Sequence, residues 1–432
     1  MAYGASRPGG AVISPLEIWA SPEPTAARID TLTRRDQLRE TGHEARLGDI
    51  DLLADLGVDG VRYPVLWEKT APLESREADF SWAAPRLERL RARGVTPIVT
   101  LLHHGSGPDD TSLLDPAFPE RFARYARAVA ERFPWIERWT PINEPLTTAR
   151  FSTLYGHWYP NFVDDQRSFG RAVVNQARAI VRAMREIRRV NPAAQLMLTE
   201  DLQAFHAGAE HAAYAEHLCE RSFLSVEILM GRIVPGHAMW RYLTHECAVA
   251  AGELAWLADR ATPPDVMGWN YYPHSERALL DRGGRHCCDV SAVFVRPEGI
   301  SPRPLLRAAY ERLGLPMAIA EVHLDGGEGE RCRWMAQRWH DVQALRAEGI
   351  PLVALGAWAA FGMVDWRSLL RSSEGWREDG IFTLSPADRQ PARSAVADLV
   401  ERLARGQAPP EYQPGWWERR ERLERAAAMV AP

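Results

Sequence analysis

The chain has 432 residues, 46% hydrophobic and 25% charged, with a net charge of −5 at pH 7. That is an ordinary globular balance, and its sign gives no reason to expect nucleic acid or an anionic membrane as a partner. Arginine supplies all but one of the 52 Lys and Arg residues, the exception being Lys69, a bias read as genomic base composition rather than as a binding signal.

Residues 1–14 carry no apolar run of signal-peptide length and are read as a flexible N-terminus. From residue 15 to residue 404, short apolar runs alternate with amphipathic helical patterns. The predicted strands are LEIWA (16–20), GVRYPVLW (60–67), TPIVTLLHH (96–104), IERWTPIN (136–143), QLMLTE (195–200), VMGWNYY (266–272), PMAIAE (316–321) and VALGAWA (353–359). Between them, segments such as PERFARYARAVAERF place apolar residues at the helical period. Eight such units, with strands apolar throughout, indicate a parallel sheet buried on both faces. The expected fold class is α/β, a single (β/α)8 TIM barrel with a short C-terminal helical tail. An open doubly wound sheet is the alternative, but no GxGxxG turn follows the first strand.

Two segments interrupt the alternation. Residues 273–301 are too long for an ordinary connection and are read as a lid or wall with RGGR at its tip. The tail, 405–432, ends in a short helical pattern outside the barrel plan. No run approaches the ~18 apolar residues that span a bilayer. The five cysteines form no CxxC pair or framework spacing, and adjacent Cys287 and Cys288 read as a loop feature; a reducing, cytoplasmic setting is expected.

In such a barrel, chemistry sits at the C-terminal ends of the strands. The polar residues there are Arg62 on strand two, His103 and His104 closing strand three, and Asn143 and Glu144 closing strand four. Glu200 and Asp201 close strand five, Asn270 and Tyr272 strand six and Glu321 strand seven, while strand eight carries Trp358. Adjacent residues on a strand point to opposite faces, so His103–His104 is not expected to bind metal, and Glu200–Asp201 is read as support for the site. Glu144 and Glu321 come from opposite sides of the ring. Two facing carboxylates suit glycosidic bond cleavage, in which one protonates the leaving oxygen and the other attacks or stabilises the anomeric carbon.

Taken together, these motifs resemble glycoside hydrolase family 1, the retaining β-glycosidases. TPINEP (140–145) is similar to the family's T-(F/L)-N-E-P acid/base motif with one extra proline, and Arg62, Tyr63 and Trp67 echo R-F-S-x-x-W. TLLHH resembles T-L-x-H-W-D, GWNYY resembles G-x-N-Y-Y, and AIAEVH stands where the family has I-T-E-N-G. AWAAFGMVDW aligns with A-W-S-L-L-D-N-F-E-W, and RQPARS with R-x-P-K-x-S. The resemblance covers about residues 15–395. It implies Glu321 as nucleophile, Glu144 as acid/base, and Arg62, Tyr272 and Asn143 beside them. It further implies sugar contacts from His103, Asn270, Trp358, Asp365 and Trp366, and no cofactor.

Departures from the pattern lie among the sugar-selecting positions. His104 and Gly105 replace a Trp–Asp pair, Asp365 is one methylene shorter than the usual Glu, and His323 follows the nucleophile strand. The first-strand glutamine motif is missing, with Glu23 as a possible substitute. His104 and His323 read either as ligand contacts or as supporting residues. The expected activity is retaining hydrolysis of a modified or specialised small-molecule glycoside. The alternatives are transfer of the sugar to an acceptor hydroxyl and a non-catalytic sugar-binding barrel. Arg62 is expected to lower the pKa of Glu321, and the charge of Glu321 to raise that of Glu144. The sequence leaves the oligomeric state open.

Overall fold

The computed structural model describes residues 14–73, 77–281 and 287–423. Eight parallel strands close into a barrel: β1 (Glu17–Ala20), β2 (Gly60–Pro64), β3 (Thr96–His103), β4 (Arg138–Asn143), β5 (Gln195–Asp201), β6 (Val266–Tyr271), β7 (Met317–Val322) and β8 (Leu352–Ala357). Closure runs from Glu17↔Ala354 to Ala20↔Ala357. Every predicted strand is present, with ends that differ by a few residues; GVRYPVLW stops at Pro64 because Trp67 already begins a helical turn.

The strands are apolar throughout because each is covered twice. Trp19, Ile98, Met197 and Ala318, from the odd-numbered strands, pack with Ala320 and Ala354 as one small cluster. Layers drawn from alternate strands are how a barrel of this size fills its interior. The larger core lies between barrel and helices, where the helices Phe118–Arg132 and Gln166–Val190 bury Phe122, Val129, Val173 and Ile180.

Both strands that carry the candidate carboxylates depart from regular pairing just before them. On β4 the register to β5 shifts between Trp139 and Asn143, a stretch that contains Pro141, which has no N–H to give the ladder. On β7 the register to β6 shifts between Ile319 and Glu321. Such irregularities re-aim the side chains that follow them. Room for the second is made by Gly356 on β8, where a Cβ would collide with the Ala320 carbonyl.

Residues 273–301 are not a bare loop. Glu276–Asp281 pairs antiparallel with Cys287–Ser291 and parallel with Ala204–Ala207, which makes a three-stranded sheet beyond β5 and β6. The expected RGGR tip lies outside the described residues, as do most of the expected flexible N-terminus and the last part of the tail. The described part of the tail packs on the barrel's outside: Trp417 is buried edge-on against Trp334, 4.8 Å between ring centroids, and donates to Gln337 (2.6 Å). Among the described residues, no helix is long and apolar enough to cross a membrane.

Gly356→Ala tests the packing behind β7. The added methyl meets backbone, which cannot rotate away, so a loss of about 1–3 kcal/mol or more is expected in urea unfolding. Stability within ~0.5 kcal/mol of the parent would show that β7 has slack.

Candidate active site

Arg62 emerges from β2 into the barrel mouth and is 2% exposed. One arm of its guanidinium donates to Glu321 Oε1 (2.7 Å) and the other to Asn143 Oδ1 (2.7 Å), so one side chain ties β2 to β4 and β7. The second oxygen of Glu321 accepts from the Tyr272 hydroxyl (2.6 Å). Asn143 is fixed further by the Thr199 hydroxyl (2.6 Å) and by donation to His103 Nε2 (3.3 Å).

Glu144 leaves β4 in the left-handed region (φ 43°), a conformation that costs a non-glycine residue of order 1–3 kcal/mol. Its amide donates to the Thr199 carbonyl (3.0 Å), and Pro145, fitted by its fixed φ to a first helical position, starts the helix Pro145–Thr153. The open Leu146 amide in that helix's first turn is satisfied from β5 by Glu200 Oε1 (2.7 Å). The turn throws the Glu144 side chain towards β6, where Asn270 Nδ2 donates to its Oε1 (2.6 Å).

The two carboxyl groups sit in unequal surroundings. Burial pushes Glu144 well above the usual carboxylate range, and the charges of Glu321, Asp201 and Glu200 push it further. Glu321 is also raised, because burial outweighs Arg62 and the Tyr272 hydrogen bond, which pull it down. Arg62 lowers the Glu321 pKa as expected, and the desolvation of a buried carboxylate exceeds that pull.

His103 and Trp358 form the next wall, their rings stacked 5.4 Å apart with Arg62 over the indole at 5.0 Å. Glu23 reaches them from the segment after β1, accepting from Trp358 Nε1 (3.1 Å) and the Thr25 amide (2.9 Å) and lying 3.8 Å from His103 Nε2. Burial and the charge of Glu321 raise Glu23 to about 8. Burial also holds both histidines neutral, His104 at about 3.

His104 does not follow strand alternation. Its backbone turns left-handed (φ 57°), bringing its ring to 4.7 Å from that of His103 rather than to the opposite face. Its Nε2 lies 3.8 Å from Glu144 Oε2, and its Nδ1 meets the Thr148 hydroxyl at 3.1 Å. Trp158 and Trp366 flank it at 5.1 and 5.6 Å.

Two candidates are placed differently from the rest. Both oxygens of Asp365 are occupied inside the protein, by Arg35 (2.9 Å) and by the amides of Gly375 (3.1 Å) and Trp376 (2.8 Å). His323 packs behind Trp358, donating from Nδ1 to that residue's carbonyl (3.2 Å), with Nε2 3.3 Å from Glu378. Among the described residues, no group of three or more His, Cys, Asp or Glu side chains could hold a metal ion.

Sequence reasoning missed Thr199, Arg35, Glu378 and Glu68. Thr199 could have been found, since a hydroxyl two residues before Asp201, the last of the strand, lies on the same face as that residue. Glu68 gave no signal, being one charge in WEKT. It lies beneath Gly105, where a Cβ would strike its carboxyl group, and neither of its oxygens has a hydrogen-bond partner among the described residues. Burial raises it to about 8.

Fold and site together define a (β/α)8 barrel with a paired-carboxylate centre at the C-terminal ends of its strands. The profile of glycosyl hydrolase family 1 matches residues 40–281, more than half the chain. The chain belongs to that family. Putative myrosinase 3 of Arabidopsis thaliana is 42% identical over 104 residues, which is 23% of this chain and 24% of that protein. Beta-glucosidase 6 of Oryza sativa subsp. japonica is 28% identical over 140 residues, 31% of this chain and 27% of that protein. These matches thus span about a quarter of the relatives' length. A family 1 β-glucosidase from Thermotoga maritima, solved with isofagomine lactam, superposes with a TM-score of 0.73 at 17% identity, covering 92% of this chain and 98% of that one.

The raised carboxyl groups set a stability trend. A carboxyl group whose folded pKa exceeds its ordinary value of 4.5 stabilises fully below that value, and the contribution is lost as pH rises to about 8. The melting temperature is therefore expected to fall between pH 5 and pH 8.5, and Glu68→Gln, which cannot ionise, to show a smaller fall. An equal fall in the variant would contradict the burial of a titrating Glu68.

Proposed function

We propose that the protein hydrolyses a β-glycosidic bond with retention of configuration, through a covalent glycosyl-enzyme on Glu321. One observation carries the reading: two buried carboxyl groups from opposite strands, one clamped by Arg62 and Tyr272, the other held by Asn270 and driven towards its neutral form. In the first step Glu321 attacks the anomeric carbon while Glu144 gives its proton to the departing oxygen. Once Glu321 is an ester its charge is gone, Glu144 becomes more acidic, and it can take a proton from the water that releases the sugar. The names of the relatives, β-glucosidases and myrosinases, support a glycoside as substrate. Transfer to another hydroxyl would use the same residues.

The substrate we infer is a sugar less fully hydroxylated at its outer positions than glucose. The site offers the Nδ1 of His103 and the Oδ1 of Asn270, both buried without a protein partner among the described residues, to hydroxyls near the reacting carbon. The outer carboxylate, Asp365, is already engaged by Arg35 and two amides, so it has no comparable demand for a hydroxyl at the 4- and 6-positions. A site discriminates hardest where an absent hydroxyl would leave its own polar groups unpaired.

Activated 2-deoxy-2-fluoro-β-glycosides of gluco and 6-deoxy-gluco configuration test both statements, read by peptide mass spectrometry. Both should label Glu321, the 6-deoxy sugar at least as fast as the gluco compound. Labelling of another residue, or no labelling by either sugar, would overturn the mechanism, and a clear preference for the gluco compound would overturn the substrate class.

A further inference from the structure

The arginine bias of the chain is general, but the placement of its arginines is not. On the outer wall of the barrel, the helices Phe118–Arg132, Gln166–Val190 and Ala251–Ala258 enclose a groove of about 680 Å³. The long helix ends at Val190, shortly before β5 begins at its N-terminal end, so the groove lies towards the face opposite the carboxylate pair. Seven arginines and two glutamates line it, on a chain whose net charge is negative.

The arginines form two facing rows. Arg182, Arg185 and Arg189 share one face of the long helix at i, i+3 and i+7, and Arg124 and Arg127 face them from the neighbouring helix. Among the described residues, four carboxylates answer them in part: Glu120 pairs with Arg182 (2.8 Å), Glu186 with Arg189 and more loosely with Arg127 (3.5 Å), Glu131 with Arg127 (2.7 Å) and Asp265 with Arg188 (3.0 Å), and Arg124 is also partnered. Arg185 makes no ion pair with a described residue, and among the described residues that line the groove arginines outnumber carboxylates. Guanidinium groups do not discharge at any physiological pH, and like charges along one helix face repel.

Trp256 gives the groove a fixed floor. The guanidinium groups of Arg182 and Arg260 stack on its ring at 5.0 and 4.8 Å, and Arg178 at 5.4 Å. Stacking occupies the face of a guanidinium and leaves its in-plane N–H groups to donate: Arg182 gives one to Glu120, while its buried Nε has no partner among the described residues. Arg182 and Arg189, seven residues apart on the long helix, start about 10 Å apart along its axis, so the row they bound offers donors over a span that linked phosphoryl groups fill better than one phosphate. The volume lies within the roughly 300–1,000 Å³ of small-molecule sites.

We propose that this groove binds an anion carrying two or more linked phosphoryl groups, either a free oligophosphate or a nucleoside diphosphate. Calorimetric titration of the whole chain with inorganic tripolyphosphate, and separately with ADP, at about 50 mM salt tests it. Saturable binding is expected, weakening as salt rises, and roughly tenfold weaker in Arg185→Ala/Arg189→Ala and in Arg185→Glu. Arg307→Ala, an exposed arginine paired with Glu348 elsewhere, should bind like the parent. Tighter binding of ADP would assign the site to a nucleotide, and tighter binding of tripolyphosphate to the free chain. No saturation by either up to about 5 mM would overturn the proposal, as would unchanged binding in both groove variants or tighter binding of a short single-stranded DNA.

Discussion

A single guanidinium organises the centre of this protein. Arg62 holds Glu321 with one arm and Asn143 with the other, so the positions of β2, β4 and β7 at the barrel mouth are set against one another by two charge-assisted hydrogen bonds. An ion pair this deeply buried is a poor source of stability, because desolvation offsets most of its attraction. Its effect is on geometry and charge. It pulls the Glu321 pKa down against the effect of burial, and it fixes Asn143, the residue that immediately precedes Glu144.

The backbone around this clamp is irregular at the points where side chains must be delivered. Glu144, His104 and Asp365 all adopt left-handed φ values although none is glycine. The register shifts on β4 and β7 fall just ahead of the two carboxylates. Surrounding structure supports each departure: Glu200 caps the helix that Glu144 begins, Gly356 leaves space behind Ala320, and Gly105 leaves space above Glu68. Strain of this kind persists only where packing over-determines it.

Much of this was legible in the sequence, for reasons that also explain what was not. The eight strands could be read because strands covered on both faces are continuous apolar runs, and the site because Asn-Glu-Pro at the end of such a run has no packing rationale. The fate of Asp365 was hidden, since its partner Arg35 lies 330 residues away. His104 was misplaced because one left-handed residue cancels the alternation rule on which the reading rested. The net direction of the Glu321 shift was hidden too, because desolvation depends on everything packed above the strand ends. The segment 273–301 could be recognised as unusual, but its pairing with Ala204–Ala207 follows from tertiary contacts that no local pattern encodes.

Membership of glycosyl hydrolase family 1 and the paired carboxylates make one electrostatic claim central: Glu144 is held neutral by burial and, beyond that, by the charge of Glu321. Carbon-13 NMR titration of the Glu144 carboxyl, in the parent and in Glu321→Gln, measures this directly. The account expects Glu144 to titrate well above the ordinary 4.5 in the parent and at a distinctly lower pH in the variant. An ordinary value in the parent, or the same raised value in both proteins, would contradict it.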